Sequence, residues 1–355
     1  MGSIQNNKVE SASRKDLLIV GQGLAGSVLA LQAYNNGLTF DVLDENAPSN
    51  STKVAAGLVN PITGRRYVKS WNVDTLIPYT KQFFKKAEQQ FEDAFYHELP
   101  IRKILANDDI IDIFDKKMEN EQMRKYALPA LKKAPTTLKW SAKNVGSISG
   151  AFLDTIKFLE HMKQFLVSNN AFIEEHFDIS SLDLENNSYN QKHYRYIVFC
   201  QGYKNLDNPF FGDLPINPCK GEVLVLDGKH SLDGVYQKNS FLLPLSLDRL
   251  KVGSNYEWED LTEKPTEKTK SLLLDKMDQI VNYDHKIIDH KAGLRPTVKD
   301  RRPVLGKHHI NNGLAIFNGL GTKGVSLAPF MANHLLEHLF EDAPLMPEVD
   351  INRFR

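Results

Sequence analysis

Three glycines between an apolar run and a helix-forming run constrain this chain more than any other feature. Asp16 to Val20 is a short apolar run suited to a strand buried on both faces. It leads straight into Gly21-Gln22-Gly23-Leu24-Ala25-Gly26, and a helical pattern follows through Val28, Leu29, Leu31 and Ala33. Asn35-Asn36-Gly37 closes that helix, because Asn and Gly tolerate the left-handed conformation at a helix C-terminus. Thr39 to Leu43 reads as a second strand, ending at Asp44, eighteen residues after the third glycine. Glycines at this spacing recur by chance; a strand before them, a helix after them and an acidic residue at that distance together predict a dinucleotide-binding β-α-β unit. Gly21 permits the tight turn, Gly23 lets backbone approach a pyrophosphate, and Gly26 lets helix and strand pack closely. The pyrophosphate rests on the helix N-terminus at Leu24 and Ala25, where unpaired N–H groups and the dipole favour negative charge. Asp44, with Glu45 beside it, is placed to meet the adenosine ribose hydroxyls. The fingerprint does not choose between nicotinamide and flavin.

At 355 residues the chain has room for two lobes. Lys plus Arg and Asp plus Glu number 44 each, a zero balance that argues against a general nucleic-acid binder, which must neutralise many phosphates. With 41% hydrophobic and 25% charged residues, it has the composition of an ordinary soluble protein. The two cysteines, Cys200 and Cys219, rule out a disulfide framework and make a reducing compartment the default. The polar opening residues lack a signal-peptide core, and no apolar run approaches a membrane span of about 20 residues. A cytoplasmic protein is expected.

From Trp71 to about Val145 the chain reads as helical and charge-rich, with Lys81, Lys85, Lys86, Glu88, Glu92 and Asp93 on one solvated face. Asp154 reads as the N-cap of a helix burying Ile156, Leu159, Met162 and Leu166. Tyr194 to Cys200 is a further strand, broken by Gln201-Gly202, and Gly221 to Glu257 is strand-like with turns at Asp227-Gly228 and Asp233-Gly234. A strand near Leu314 to Phe317, a glycine-rich loop and a helix from about Ser326 to Phe340 complete the chain.

The far end separates the cofactors. Ala292-Gly293-Leu294-Arg295-Pro296, Lys299-Asp300 and Pro303-Val304-Leu305-Gly306 precede Asn318-Gly319-Leu320-Gly321-Thr322-Lys323-Gly324. With the fingerprint, TKVAAGLVNP at 52–61, IVFCQG at 197–202 and Lys220-Gly221-Glu222, this resembles the FAD-dependent oxidoreductases of the D-amino-acid oxidase superfamily. Glycine oxidase and the FAD domain of the enzyme that modifies wobble uridine in tRNA are the branches it most resembles. Residues 81–145 carry no such resemblance.

The resemblance implies a two-lobed α/β protein: a discontinuous Rossmann-type FAD-binding domain (14–80, 146–205 and 290–342) and a mixed-sheet substrate domain (81–145 and 206–289), after a polar leader (1–13). It implies that Thr52, Ala56 and Gly57 lie along the flavin and pyrophosphate, that Ile179 meets the adenine, and that Gly202 ends the strand backing the cofactor. Gly319, Gly321, Thr322, Lys323, Gly324 and Val325 would border flavin N1 and the C2 carbonyl, with a helix aimed there from near Lys323. Arg295 stands where such enzymes clamp the substrate carboxylate, a task suited to its planar fork. Phe241 stands where they place a tyrosine whose hydroxyl assists; without it another donor is needed, and Arg65, Arg66 and Tyr67 are candidates.

The implied reaction is hydride transfer from the carbon beside an amine nitrogen to flavin, followed by hydrolysis of the imine, with oxygen or another acceptor taking the electrons. No side-chain base is required if the amine enters neutral. Modification of tRNA and a non-catalytic flavin-binding role remain as alternatives, and a nicotinamide dehydrogenase leaves the C-terminal glycine loop unexplained. His334-Leu-Leu-Glu337-His338 matches the H-x-x-E-H spacing of some zinc proteases, but only seventeen residues follow for a third ligand, so no metal is expected.

Overall fold

The computed structural model describes residues 14–47, 50–64 and 66–355. Arg65 and the leader 1–13 therefore lie outside the described residues. The strand Lys15–Val20 is central to an eight-stranded sheet, flanked in parallel by Phe40–Asp44 and Lys192–Phe199. Phe172–Glu174 extends one side and Leu314–Asn318 the other, also in parallel. Val304–Lys307 closes the edge antiparallel. Both faces are covered, which explains the unbroken apolar run at 17–20: Leu17 and Ile19 enter one hydrophobic core, Leu18 and Val20 a second. Helix Leu24–Asn35 packs with Gly324–Phe340 over the first core, and Val73–Phe91 packs against the latter.

A seven-stranded mixed sheet runs in the order Lys286–Val298, Ile216–Asp227, Arg249–Gly253, Phe241–Pro244, Val235–Gln237, Ile101–Ile104 and Val145–Ile148. Its pairs are antiparallel except Val235–Gln237 with Ile101–Ile104. The strand Lys286–Val298 crosses the boundary expected at 290, so residues 290–298 continue this sheet.

Three local expectations are corrected. The segment expected to be helical to Val145 contains the strands Tyr96–Glu98 and Ile101–Ile104 between the helices Val73–Phe91 and Asp108–Glu119. Pro100 bars a continuous helix, and Ile101 and Ile104 are buried. Within the charged face, the Glu88 carboxylate accepts the backbone N–H groups of Phe95 and Tyr96 at 2.8 and 2.7 Å, fastening the chain reversal rather than facing water. The helix Thr155–Ser168 is capped by Asp154 as expected, its carboxylate accepting Lys157 N–H at 3.1 Å. Its buried stripe holds Phe158, while Ile156 is exposed.

Candidate active site

The C-terminal ends of the parallel strands and one face of the mixed sheet enclose a cavity of about 450 Å³, within the range of small-molecule sites. At its base the fingerprint glycines do three different jobs. A Cβ on Gly26 would lie 1.8 Å from the Gly21 carbonyl oxygen, so Gly26 serves helix–strand packing and does not itself line the cavity. Gly21, at φ +107°, would place a Cβ 2.7 Å from the Cys200 oxygen. Gly23 is different: nothing but Thr52 Oγ1, at 3.6 Å, stands near the Cβ it lacks. The protein itself thus leaves space for a side chain at Gly23, as expected if a ligand uses that space.

Leu24 N–H donates to Thr52 Oγ1 at 3.1 Å, while the N–H groups of Ala25 and Gly26 have no partner among the described residues. These two donors at a helix start suit a pyrophosphate. Asp44 ends its strand with both carboxylate oxygens anchored, one by Gln22 N–H at 2.6 Å and one by Asn46 N–H at 2.7 Å. Each oxygen retains a lone pair for a ribose hydroxyl. Glu45 also lines the cavity; it is paired with Lys204 and His176, and these hold its carboxyl below the usual range. Ile179 is corrected: it sits 47% exposed in the short helix Ile179–Ser181 away from the cavity, and His176 and Phe177 line it instead.

Thr52, Ala56 and Gly57 line the middle of the cavity. Gly57, at φ +67°, passes so close to Leu153 that a Cβ would fall 2.0 Å from its carbonyl oxygen. Gly202 faces open space, with no atom within 4 Å of its missing Cβ. On the far side the loop residues Gly321, Thr322 and Lys323 and the first helical residues Gly324 and Val325 line the cavity. Gly319 does not line it: at φ +72° it turns the chain against Val298 and Val304. Lys323 occupies the N-cap of the helix Gly324–Phe340 and donates to Ser70 Oγ at 3.0 Å. Burial, with help from Arg301 and Arg302, holds its ammonium below the usual lysine range. The glycine cradle, free N–H pair and cationic helix start together fit FAD, from the pyrophosphate to the electron-rich edge of the flavin.

Arg295 reaches the cavity from Lys286–Val298 by lying over Gly221, where a Cβ would meet its Nη2 at 1.7 Å. Its Nη2 donates to Ser254 Oγ at 2.9 Å and its Nη1 to the Lys220 oxygen at 3.3 Å, with the Asn255 oxygen at 3.4 Å from both. Tyr256 lies beneath it, ring centroid 5.1 Å away. Among the described residues no carboxylate pairs with this guanidinium. Its own strand is fastened to both cofactor loops: Gly293 packs on Ser51 and Val54, and the Pro296 oxygen accepts Gly321 N–H at 3.0 Å. Phe241 leans its ring over Gly253, the ring edge 2.9 Å from the absent Cβ, and borders the cavity. Sequence reasoning missed Ser254, Asn255, Asn60 and Gln237 here, because no motif marks residues that only register brings together.

The histidines of H-x-x-E-H are committed to backbone: His334 Nε2 accepts Met346 N–H at 2.9 Å and His338 Nδ1 pairs with the Ala343 oxygen at 2.8 Å. Among the described residues no group of three or more His, Cys, Asp or Glu is arranged for a metal ion, and no helix is long and apolar enough to cross a membrane.

A family model described as DAO, FAD dependent oxidoreductase, matches residues 16–338. The chain belongs to this family. FAD is accordingly its cofactor, and its class is that of a flavin-dependent oxidoreductase. Glycine oxidase from Bacillus cereus ATCC 14579 superposes with a TM-score of 0.75 at 18% identity, covering 93% of this chain and 96% of that one. Iminodiacetate oxidase from Chelativorans sp. BNC1 does so at 0.73 and 20%, covering 95% and 98%. Among curated proteins, the tRNA 5-methylaminomethyl-2-thiouridine biosynthesis bifunctional protein of Marinobacter nauticus is 21% identical over 357 residues, 91% of this chain. The chain spans 55% of that relative's length.

Proposed function

We propose that this DAO-family enzyme oxidises the C–N bond of an amine that carries a carboxylate. The observation that carries the reading is Arg295, a planar donor aimed into the cavity, held by neutral oxygens and lacking a carboxylate among the described residues. A bidentate contact with a substrate carboxylate supplies that missing partner and fixes the neighbouring carbon in one orientation. When bound in this cradle, FAD would supply the hydride-accepting chemistry. The chain's own part is to orient the substrate between Arg295 and the flavin loop, and to place Lys323 and the N-terminus of Gly324–Phe340 where negative charge collects on reduction. The amine enters neutral, so no side chain need remove a proton. The glycine oxidase and iminodiacetate oxidase likenesses agree with this substrate class.

The test is the visible spectrum of the purified yellow protein under anaerobic conditions as glycine, sarcosine and D-alanine are added. Bleaching is expected, with Arg295→Leu retaining FAD but needing far more substrate. A yellow protein that none of them bleaches and whose flavin spectrum none of them perturbs refutes the carboxylate reading and favours a larger amine, such as a modified tRNA base.

A further inference from the structure

Gln237 lies at the opposite end of the substrate region from Arg295, and its neighbours dictate which way its amide points. Asn60 Oδ1 accepts Ile62 N–H at 3.1 Å, so the Asn60 Nδ2 group is the one that donates to Gln237 Oε1, at 3.2 Å. Lys103 Nζ donates to the same oxygen at 2.5 Å. Burial lowers Lys103 to about 8, so near neutral pH it is an ammonium with donors only. Two donors fix the Gln237 oxygen, and its Nε2 therefore has to turn the other way. That NH₂ has no partner among the described residues, and Gln237 lines the cavity. Lys103 has no carboxylate partner among the described residues and does not itself line the cavity; its charge reaches the cavity through the Gln237 amide that it polarises.

Register shows that this end is separate from the first. Gly253 pairs with Phe241 and Phe241 with Gln237, so the three share one face of the sheet. From Gly253, beside the Ser254 that Arg295 touches, to Gln237 is two strand steps, about 10 Å at the backbone. The Phe241 ring, tilted onto Gly253, lies between. One carboxylate does not reach around that ring to both donors.

Resting on the carboxylate reading of Arg295, we propose that the substrate is two-ended: an amino acid whose nitrogen carries an arm terminating in a hydrogen-bond acceptor, best a second carboxylate, received by the Gln237 amide. Arg295 takes one end, the apolar Phe241 ring borders the carbon–nitrogen segment, and Gln237, oriented by Lys103 and Asn60, takes the other. Phe241 is then not a lost carboxylate ligand. It is the divider that a longer substrate needs.

The experiment follows anaerobic flavin reduction in the FAD-loaded enzyme with iminodiacetate, which has two carboxylate ends, against N-propylglycine, whose arm is similar in length but ends in a methyl group. The wild type should half-saturate at a concentration at least about tenfold lower with iminodiacetate, the value of one charge-assisted hydrogen bond. Gln237→Leu should abolish that preference, weakening iminodiacetate by at least about tenfold relative to N-propylglycine. Gln237→Glu, which keeps the side-chain size and sets a carboxylate against the arm, should reverse it. Equal use of the two compounds by the wild type, or equal weakening of both by Gln237→Leu, overturns the proposal. If Arg295→Leu reduces as readily as the wild type with both, the carboxylate reading itself fails and the proposal falls with it.

Discussion

Alanine at Gly23 should act on FAD binding and alanine at Gly26 on folding, although the two sites are three residues apart in one motif. Gly23 has φ −75° and ψ −167°, a conformation open to any residue, and its new methyl group would meet only Thr52 Oγ1 at 3.6 Å. The stability of the FAD-free protein should change by no more than about 0.5–1 kcal/mol, since reduced freedom of the unfolded chain offsets a poorer cap. A pyrophosphate on this helix start would have to share that space, so the methyl group is expected to hold the phosphate oxygens off the free N–H groups of Ala25 and Gly26. Each such charge-assisted hydrogen bond contributes about 1.5–3 kcal/mol, so losing both weakens FAD binding by roughly 10²–10⁴-fold. At Gly26 the methyl would lie 1.8 Å from the Gly21 oxygen, which forces the helix off its strand and costs about 1–3 kcal/mol or more with or without cofactor. Thermal melts of the FAD-free variants and fluorescence titration with FAD distinguish the two. A Gly23→Ala protein that binds FAD within about twofold of wild type, against the loss worked from those bonds, would falsify the assignment of that space to the pyrophosphate.

Gly221→Ala should mimic loss of Arg295, because the added methyl displaces the guanidinium while leaving the FAD cradle alone; weakened flavin reduction with unchanged FAD content is the expected result, and unchanged reduction kinetics would count against it. Lys103→Met should alter the pH dependence of stability. The folded-state pKa of about 8 lies below the ordinary lysine value, so the unfolded chain binds more protons between them and the wild type gains stability as pH rises from 8 to 10.5. That gain, on the order of 3 kcal/mol, should be missing from the variant's melting curves. Cys200 and Cys219 are buried, and burial pushes both thiols up; neither should react with a disulfide reagent at pH 8 until urea is added, and rapid labelling of the native protein would contradict their placement.

The cofactor half was legible because its chemistry is local. Strand, turn, helix and acidic terminus fall within Lys15 to Asp44, and each carries its own signal in period, glycine or cap. The Gly319–Gly324 loop was legible for the same reason, although Gly319 itself serves the turn. Ile179 failed because a match of position cannot show which neighbour of a loop faces inward; His176 and Phe177 do. The substrate half was harder to read because it exists only through register. Lys103, Gln237, Phe241, Gly253 and Arg295 are scattered over nearly two hundred residues, and pairing alone sets them side by side. The strands near residue 100 were hidden by the charge of their surroundings, where buried Ile101 and Ile104 are the main apolar signal.

The strand Lys286–Val298 bears on how the enzyme is loaded. It carries Arg295, the residue proposed to receive substrate, and its backbone leans on the short Ser51–Val54 helix at Gly293 and on the Gly321 loop at Pro296, one residue beyond Arg295. Ser51, Val54 and Gly321 all line the cavity, so a dinucleotide bound there would touch both supports and is expected to stiffen the strand that carries the guanidinium. Substrate affinity and FAD affinity are then linked quantities, and each must strengthen the other by the same factor. An emptied protein would then hold a carboxylate less tightly than the FAD-loaded one, even with Arg295 intact.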